Sequence, residues 1–154
     1  MGNSTRHAGR WTLEDRFDAA WHYLPVEVNP GTAGLRVALD YERAGGTVLD
    51  LGCLGPNGFR GWSGSSRESF MITSEAATPG YLPGELEAGT WQVMIGVHRI
   101  PPDGVRYQLT AEALGSLPLT AGAGALGADL RPAPAPSPVD RPARPAPSRP
   151  RRGG

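Results

Sequence analysis

Leu35-Arg36-Val37-Ala38-Leu39-Asp40-Tyr41 alternates without a break. Successive side chains of an extended chain point to opposite faces. The stretch therefore sets Leu35, Val37, Leu39 and Tyr41 on one side and Arg36, Ala38 and Asp40 on the other, the pattern of a strand with one buried face. The period returns at Trp91, Val93, Ile95 and Val97, and again at Val105, Tyr107, Leu109 and Ala111. Trp21 to Val28, Val48 to Leu54 and Ser69 to Ser74 are less regular. They are short, partly β-branched or aromatic and bounded by turn residues, so they are read as strands as well.

Between these runs lie Asn29-Pro30-Gly31, Ala44-Gly45-Gly46, Pro56-Asn57-Gly58, Glu87-Ala88-Gly89 and Pro101-Pro102-Asp103-Gly104. Each supplies the positive or fixed φ that a reversal needs. Turns at this spacing favour an all-β fold, an antiparallel β-sandwich of jelly-roll-like form, over a βαβ fold. One short helix is expected at Leu13 to Ala20, capped by Thr12 with Asp15 three residues on. The glycines and prolines from Gly55 to Leu86 predict a stretch that is mostly loop. The domain is placed at residues 10–115, after a flexible N-terminus at 1–9 and before a disordered Ala-, Gly-, Pro- and Arg-rich tail at 116–154.

Composition supports that division. The chain has 22 Gly and 16 Pro in 154 residues, a load that suits turns and short strands better than helices. Its zero net charge hides an asymmetry, because residues 1–130 carry 9 Arg against 14 acidic residues, whereas residues 131–154 carry 6 Arg against Asp140 alone. All 15 basic residues are Arg, a bias that matches a GC-rich coding sequence better than selection for phosphate binding, and no nucleic-acid partner is expected. The single cysteine, Cys53, cannot form an internal disulfide. No apolar run is long enough for a signal-peptide core or a bilayer span, so the expectation is a cytoplasmic protein without a membrane partner.

No complete catalytic set can be assembled. His7, His22 and His98 lie far apart, and none has the close His, Cys or carboxylate neighbour of a local metal motif. His98 falls one residue past the Val93, Ile95, Val97 face and should point away from the core. Cys53 aligns with Leu49 and Leu51 and reads as a buried, inert thiol. Ser63 within Gly61-Trp62-Ser63-Gly64 fits neither a nucleophile elbow nor a phosphate loop and is read as turn chemistry. Asp40 and Glu42 share a solvated strand face. The expectation is therefore no catalytic, cofactor or metal residue in this chain. The aromatics Phe59, Trp62, Tyr81 and Leu82 beside them in the 55–86 stretch act either as lids over the end of the sandwich, which burial favours, or as contacts for a partner. Phe59, Arg60, Trp62, Arg67 and Tyr81 form the candidate interaction surface. In the tail, Arg144, Pro147 and Pro150 match an RxxPxxP spacing and Arg149, Arg151 and Arg152 cluster, signals that any such biased spacer generates.

Across residues 10–113 the sequence resembles the N-terminal domain of CehA/McbA-type metallohydrolases of the PHP superfamily. The resemblance is carried by Trp21-His22-Tyr23-Leu24-Pro25-Val26-Glu27-Val28, Pro30-Gly31-Thr32, Leu35-Arg36-Val37, Leu39-Asp40-Tyr41, Leu49-Asp50-Leu51-Gly52, Phe59-Arg60-Gly61-Trp62-Ser63-Gly64, Thr78-Pro79-Gly80-Tyr81-Leu82-Pro83-Gly84 and Gly89-Thr90-Trp91-Gln92-Val93. In that family a Pro-rich linker leads on to a PHP barrel, whose motifs, beginning with His-x-His, hold divalent metals for hydrolysing phosphoester-like, carbamate or ester substrates. This sequence has no His-x-His, so no metal ligand carries over. The resemblance implies a non-catalytic accessory domain that docks to or covers a PHP catalytic domain lying outside this chain. Two other readings stand beside it. One is a free-standing carbohydrate- or anion-binding module using Trp62, Tyr81, Arg60 and Arg67; the other is an enzyme with its own metal, which requires His22 and His98 to converge.

Overall fold

The computed structural model describes residues 2–116 and 131–132. Ten strands and one helix follow in the order β1 (Asn3–Trp11), α1 (Leu13–Asp18), β2 (Trp21–Val28), β3 (Gly34–Tyr41), β4 (Val48–Gly55), β5 (Gly58–Gly64), β6 (Ser69–Thr73), β7 (Ala76–Ala77), β8 (Gly89–Arg99), β9 (Val105–Leu114) and β10 (Arg131–Pro132). They form two antiparallel sheets, one ordered β1-β9-β3-β6-β7-β10 and the other β2-β8-β4-β5. Strands 1, 9, 3 and 6 thus oppose strands 2, 8, 4 and 5, so consecutive strands repeatedly cross from one sheet to the other. This is the double Greek-key order of a jelly roll.

The alternating runs meet between the layers. Leu35, Val37 and Leu39 of β3 and Leu109 of β9 bury against Leu49, Leu51 and Cys53 of β4 and Trp91, Val93 and Ile95 of β8. Each fully enclosed aliphatic side chain contributes about 1.5–3 kcal/mol. Thr12 and Asp15 form the expected reciprocal cap of α1, the Thr12 hydroxyl accepting from the Asp15 N–H and the Asp15 carboxylate from the Thr12 N–H. Among the described residues no helix is long and apolar enough to cross a membrane.

Two expectations are corrected. Residues 1–9 are not a flexible lead, because Asn3–Trp11 pairs along its whole length with β9. Its inward positions from Asn3 to His7 are polar, and two of them close the seam between sheets by side-chain bonds: Asn3 donates to the Glu27 carbonyl and a His7 ring nitrogen meets that of Pro25 at 2.7 Å. The 55–86 stretch is not mostly loop at its start, where Gly58–Gly64 forms an edge strand on β4. Two register shifts and the positive φ of Gly61 (154°) accommodate a sequence without regular alternation. The tail contributes a two-residue edge pairing, Arg131 with Ala77 and Pro132 with Ala76, a place where proline is tolerated. The rest of that segment, including Arg144, Pro147, Pro150 and the arginine cluster, lies outside the described residues.

Candidate functional site

The core-facing parity of β8 is Trp91, Val93, Ile95 and Val97, so Gln92, Met94, Gly96 and His98 face outward. On β2 the buried pair Val26 and Val28 fixes Trp21, Tyr23 and Pro25 as outward-facing. The ladder sets Trp21 and Asp50 opposite Gly96, Tyr23 and Gly52 opposite Met94, Trp62 opposite Gly52 and Phe59 opposite Leu54. The outer face of the four-stranded sheet is therefore largely aromatic and apolar. Tyr23 is 48%, Phe59 54% and Trp62 36% exposed, well beyond what a core-facing group would show.

Two glycines let the indoles lie on the sheet. A Cβ at Gly96 would stand 2.6 Å from Trp21 Cζ3, and one at Gly52 would stand 2.9 Å from Trp62 Cε3. The rings thus occupy the space that any side chain at those positions would take. They also brace one another edge to face, with centroids 4.5 Å apart and planes at 71°, a preferred arrangement of aromatic quadrupoles.

The five residues of the sequence-derived surface do not share one surface. Phe59 and Trp62 lie on the outer face just described. Arg60, their neighbour, points the opposite way and is buried, donating to the carbonyls of Leu82 (3.2 Å), Gly84 (3.3 Å) and Glu85 (2.9 Å) with its guanidinium over the Trp91 ring. It clamps the 82–85 segment onto the sandwich. Tyr81 is buried and stacked on Phe70, its hydroxyl bonded to Ser63 at 2.8 Å and to the Leu51 carbonyl. Burial pushes its phenol well above the ordinary range, with the Ser63 bond partly opposing. Arg67 is half-buried near that phenol and already has a partner. Tyr81 is thus the lid, while Phe59 and Trp62 are exposed. Ser63 does more than shape a turn, since its hydroxyl holds the lid.

The titratable groups fall as follows. Burial pushes the Cys53 thiol up to about 12, with Arg60 opposing, so it is no nucleophile at neutral pH. His22 bonds the Asp15 carbonyl at 2.9 Å and packs on Trp11, whereas His98 lies on the outer side of the same sheet. Among the described residues no three His, Cys, Asp or Glu side chains converge into a set able to hold a metal ion. Concavities among the described residues border the sheets. A broad depression of about 600 Å³ on the six-stranded sheet is lined by Asp40, Glu42, Arg106, Tyr107 and Gln108. A tighter cleft of about 250 Å³ beside Trp21 is lined by Arg16, Asp50, Gly96 and His98.

Trp21, Tyr23, Asp50, Gly52, Met94 and Gly96 were not singled out by the sequence. The available signal was the off-core parity of β2, β4 and β8, which carries aromatics and glycines where a solvated face carries charges. No protein-family model matches the chain, and no curated protein is significantly similar to it.

Proposed function

We propose that this chain is a non-catalytic accessory β-sandwich that docks, through the outer face of its four-stranded sheet, onto a folded catalytic domain of the PHP metallohydrolase type. The observation that carries this reading is the aromatic outer face of Tyr23, Trp62 and Phe59 with Met94 and Leu54 among them. A contiguous exposed apolar patch of this kind marks an interaction surface more often than a solvated one. Aromatic groups held against the backbone lose little conformational freedom on binding, which favours them as anchors. Four of the stretches that carry the resemblance to CehA/McbA-type N-terminal domains, Trp21–Val28, Leu49–Gly52, Phe59–Gly64 and Gly89–Val93, fall on the four strands of this sheet. The catalytic domain is the occupant that the resemblance supplies.

The test is calorimetric titration of this chain with a purified PHP catalytic domain from a CehA/McbA-type enzyme. A saturable complex is expected, weakened at least about tenfold by Trp62→Ala or Tyr23→Ala, a change of about 1.4 kcal/mol. Arg106→Ala on the opposite sheet should leave it unchanged. The absence of a complex, or one indifferent to Trp62 and Tyr23, overturns the reading.

A further inference from the structure

The tighter cleft is built from four elements, with Trp21 of β2 forming one wall. The helix α1 brings Arg16, the outer parity of β4 brings Asp50, and β8 brings Gly96 and His98, around a volume of about 250 Å³. Its walls are held in place. The reciprocal cap of Thr12 and Asp15 fixes the start of α1, and the bond from His22 to the Asp15 carbonyl ties the helix to β2. A Cβ at Gly96 would meet both Trp21 and Asp50, at 2.6 and 3.0 Å, so that glycine lets the indole and the carboxylate-bearing side chain close in from two sides.

The polar groups of this cleft are unspent. Among the described residues, the side chains of Arg16, Trp21, Asp50 and His98 form no hydrogen bond and no ion pair with the protein. The Asp50 carboxyl is pushed up by burial, with His98 pulling it back, so it stands partly desolvated without a donor. On the opposite sheet the corresponding groups are engaged: Glu42 reaches Arg106 at 3.9 Å, and the Gln108 amide oxygen, turned toward Arg6, accepts at 2.8 Å.

We propose that this cleft binds a neutral polyhydroxylated ring, a single sugar unit, by hydrogen bonds from its hydroxyls to Asp50 and from Arg16 and His98, against the indole of Trp21. The charge pattern selects this class. Asp50 opposes an anion such as phosphate, and Arg16 opposes a cation. A vicinal diol satisfies both, because its O–H groups donate to the carboxylate while its oxygens accept from the guanidinium fork. Asp50 and His98 alone are too few donors for a metal site. The indole supplies the flat apolar surface on which the C–H face of a ring lies. The volume is below the range of about 300–1,000 Å³ usual for drug-sized ligands, which limits the occupant to one ring. This inference is independent of domain docking.

The experiment titrates the whole chain with glucose, galactose, mannose and N-acetylglucosamine, and with inorganic phosphate, followed by tryptophan fluorescence and amide chemical shifts. At least one sugar should bind saturably at about 1–10 mM, as small ligands do. Asp50→Asn and the exposed Arg16→Gln should each weaken it at least fivefold. Glu112→Gln on the other sheet should leave it unchanged, as should Phe59→Ala, which belongs to the docking face alone. Overturning results are no sugar binding below about 50 mM, ten times the middle of the expected range, sugar binding indifferent to both cleft variants, or displacement of the sugar by phosphate.

Discussion

The two outer faces of the sandwich stand on strands of the same alternating design, yet they meet solvent with opposite chemistry. On the six-stranded sheet the outward positions are Arg36, Ala38 and Asp40 of β3 and Arg106, Gln108 and Glu112 of β9. Ion pairs lie on this face, Arg36 with Glu112 at 3.8 Å and Arg106 with the neighbouring Glu42 at 3.9 Å. On the four-stranded sheet the same parity carries Trp21, Tyr23, Met94 and Trp62 over the bare backbone of Gly52 and Gly96. The difference teaches that alternation determines which side of a strand enters the core and leaves the other side open to use. A polar outer face is satisfied by water and by loose ion pairs. An aromatic one needs small residues beneath it, and its rings remain available to another surface.

The contrast is broken most directly by removing one ring. Trp21→Ala should cost about 2–3 kcal/mol, below the range for a fully enclosed Trp because the ring is half-buried. For a domain near this size that lowers Tm by roughly 10–15 °C. Arg36→Ala on the opposite face, in a pair with both partners 44% exposed, should change stability by no more than about 0.5 kcal/mol. Denaturant unfolding of the two variants checks both figures. Equal losses would mean that the outer indole is no more than a surface residue.

Filling the floor is the next largest perturbation. Gly96→Val sets a branched side chain where Trp21 Cζ3 lies 2.6 Å from the Cβ position, so the ring must lift away. The expected loss is about 2 kcal/mol, with a weakened near-UV tryptophan signal. Ala38→Val, also outward-facing but exposed on the six-stranded sheet, should be neutral or slightly stabilising because a β-branched residue suits a strand. If Gly96→Val retained both stability and the near-UV spectrum, the packing of the indole on the glycine would be refuted.

These residues also mark how far the sequence could be read. The strands with a clean apolar period, β3, β8 and β9, were legible because burial on one side leaves a two-residue signal. The Thr12 cap was legible because its chemistry is local. β1 was not, since its inward positions from the start are Asn3, Thr5 and His7, of which Asn3 and His7 bond across the sheet seam, and an apolar group enters the core at Trp11, the last residue of the strand. β5 was hidden by Gly58, Gly61 and Gly64, which read as loop, whereas Gly58 closes the turn from β4 and Gly61 and Gly64 flank the two register shifts. At the site, Phe59 and Trp62 could be named as aromatics without a core partner. Their separation from Arg60 and Tyr81 depends on strand parity around the bulges, which no local pattern supplies. Trp21 and Asp50 come together across Gly96 only through the pairing of β2, β8 and β4, a long-range register invisible in any window of the chain.

Pairwise coupling sharpens the comparison at a smaller scale. A double-mutant cycle of Trp21→Ala with Trp62→Ala should give an interaction energy of about 1 kcal/mol, as edge-to-face rings do. The Arg36–Glu112 cycle should give less than about 0.5 kcal/mol and should shrink further in 1 M salt, where the Debye length is about 3 Å. The tryptophan coupling should persist in salt. Two couplings of the same size and salt response would erase the distinction between the faces.

The smallest expected effect concerns Asp50, the one carboxylate among the rings. Burial raises its pKa in the folded chain above the ordinary 3.8. Between the unfolded and folded values the native state holds the proton more tightly, so stability falls as pH rises through that window and the penalty is complete above it. Asp50→Asn removes the penalty. The variant should therefore be more stable than the parent at pH 7, by about 0.5 kcal/mol or less once solvent screening of a half-exposed group is allowed for. The advantage should disappear near pH 3, where the parent carboxyl is protonated in both states. Glu112→Gln in the exposed ion pair should show no such gain at pH 7. Thermal melts of the three proteins from pH 3 to pH 7 decide the matter. A parent more stable than Asp50→Asn at pH 7 would mean that the carboxylate is stabilised by the fold after all, and that this face holds it as a structural partner instead of leaving it open to a ligand.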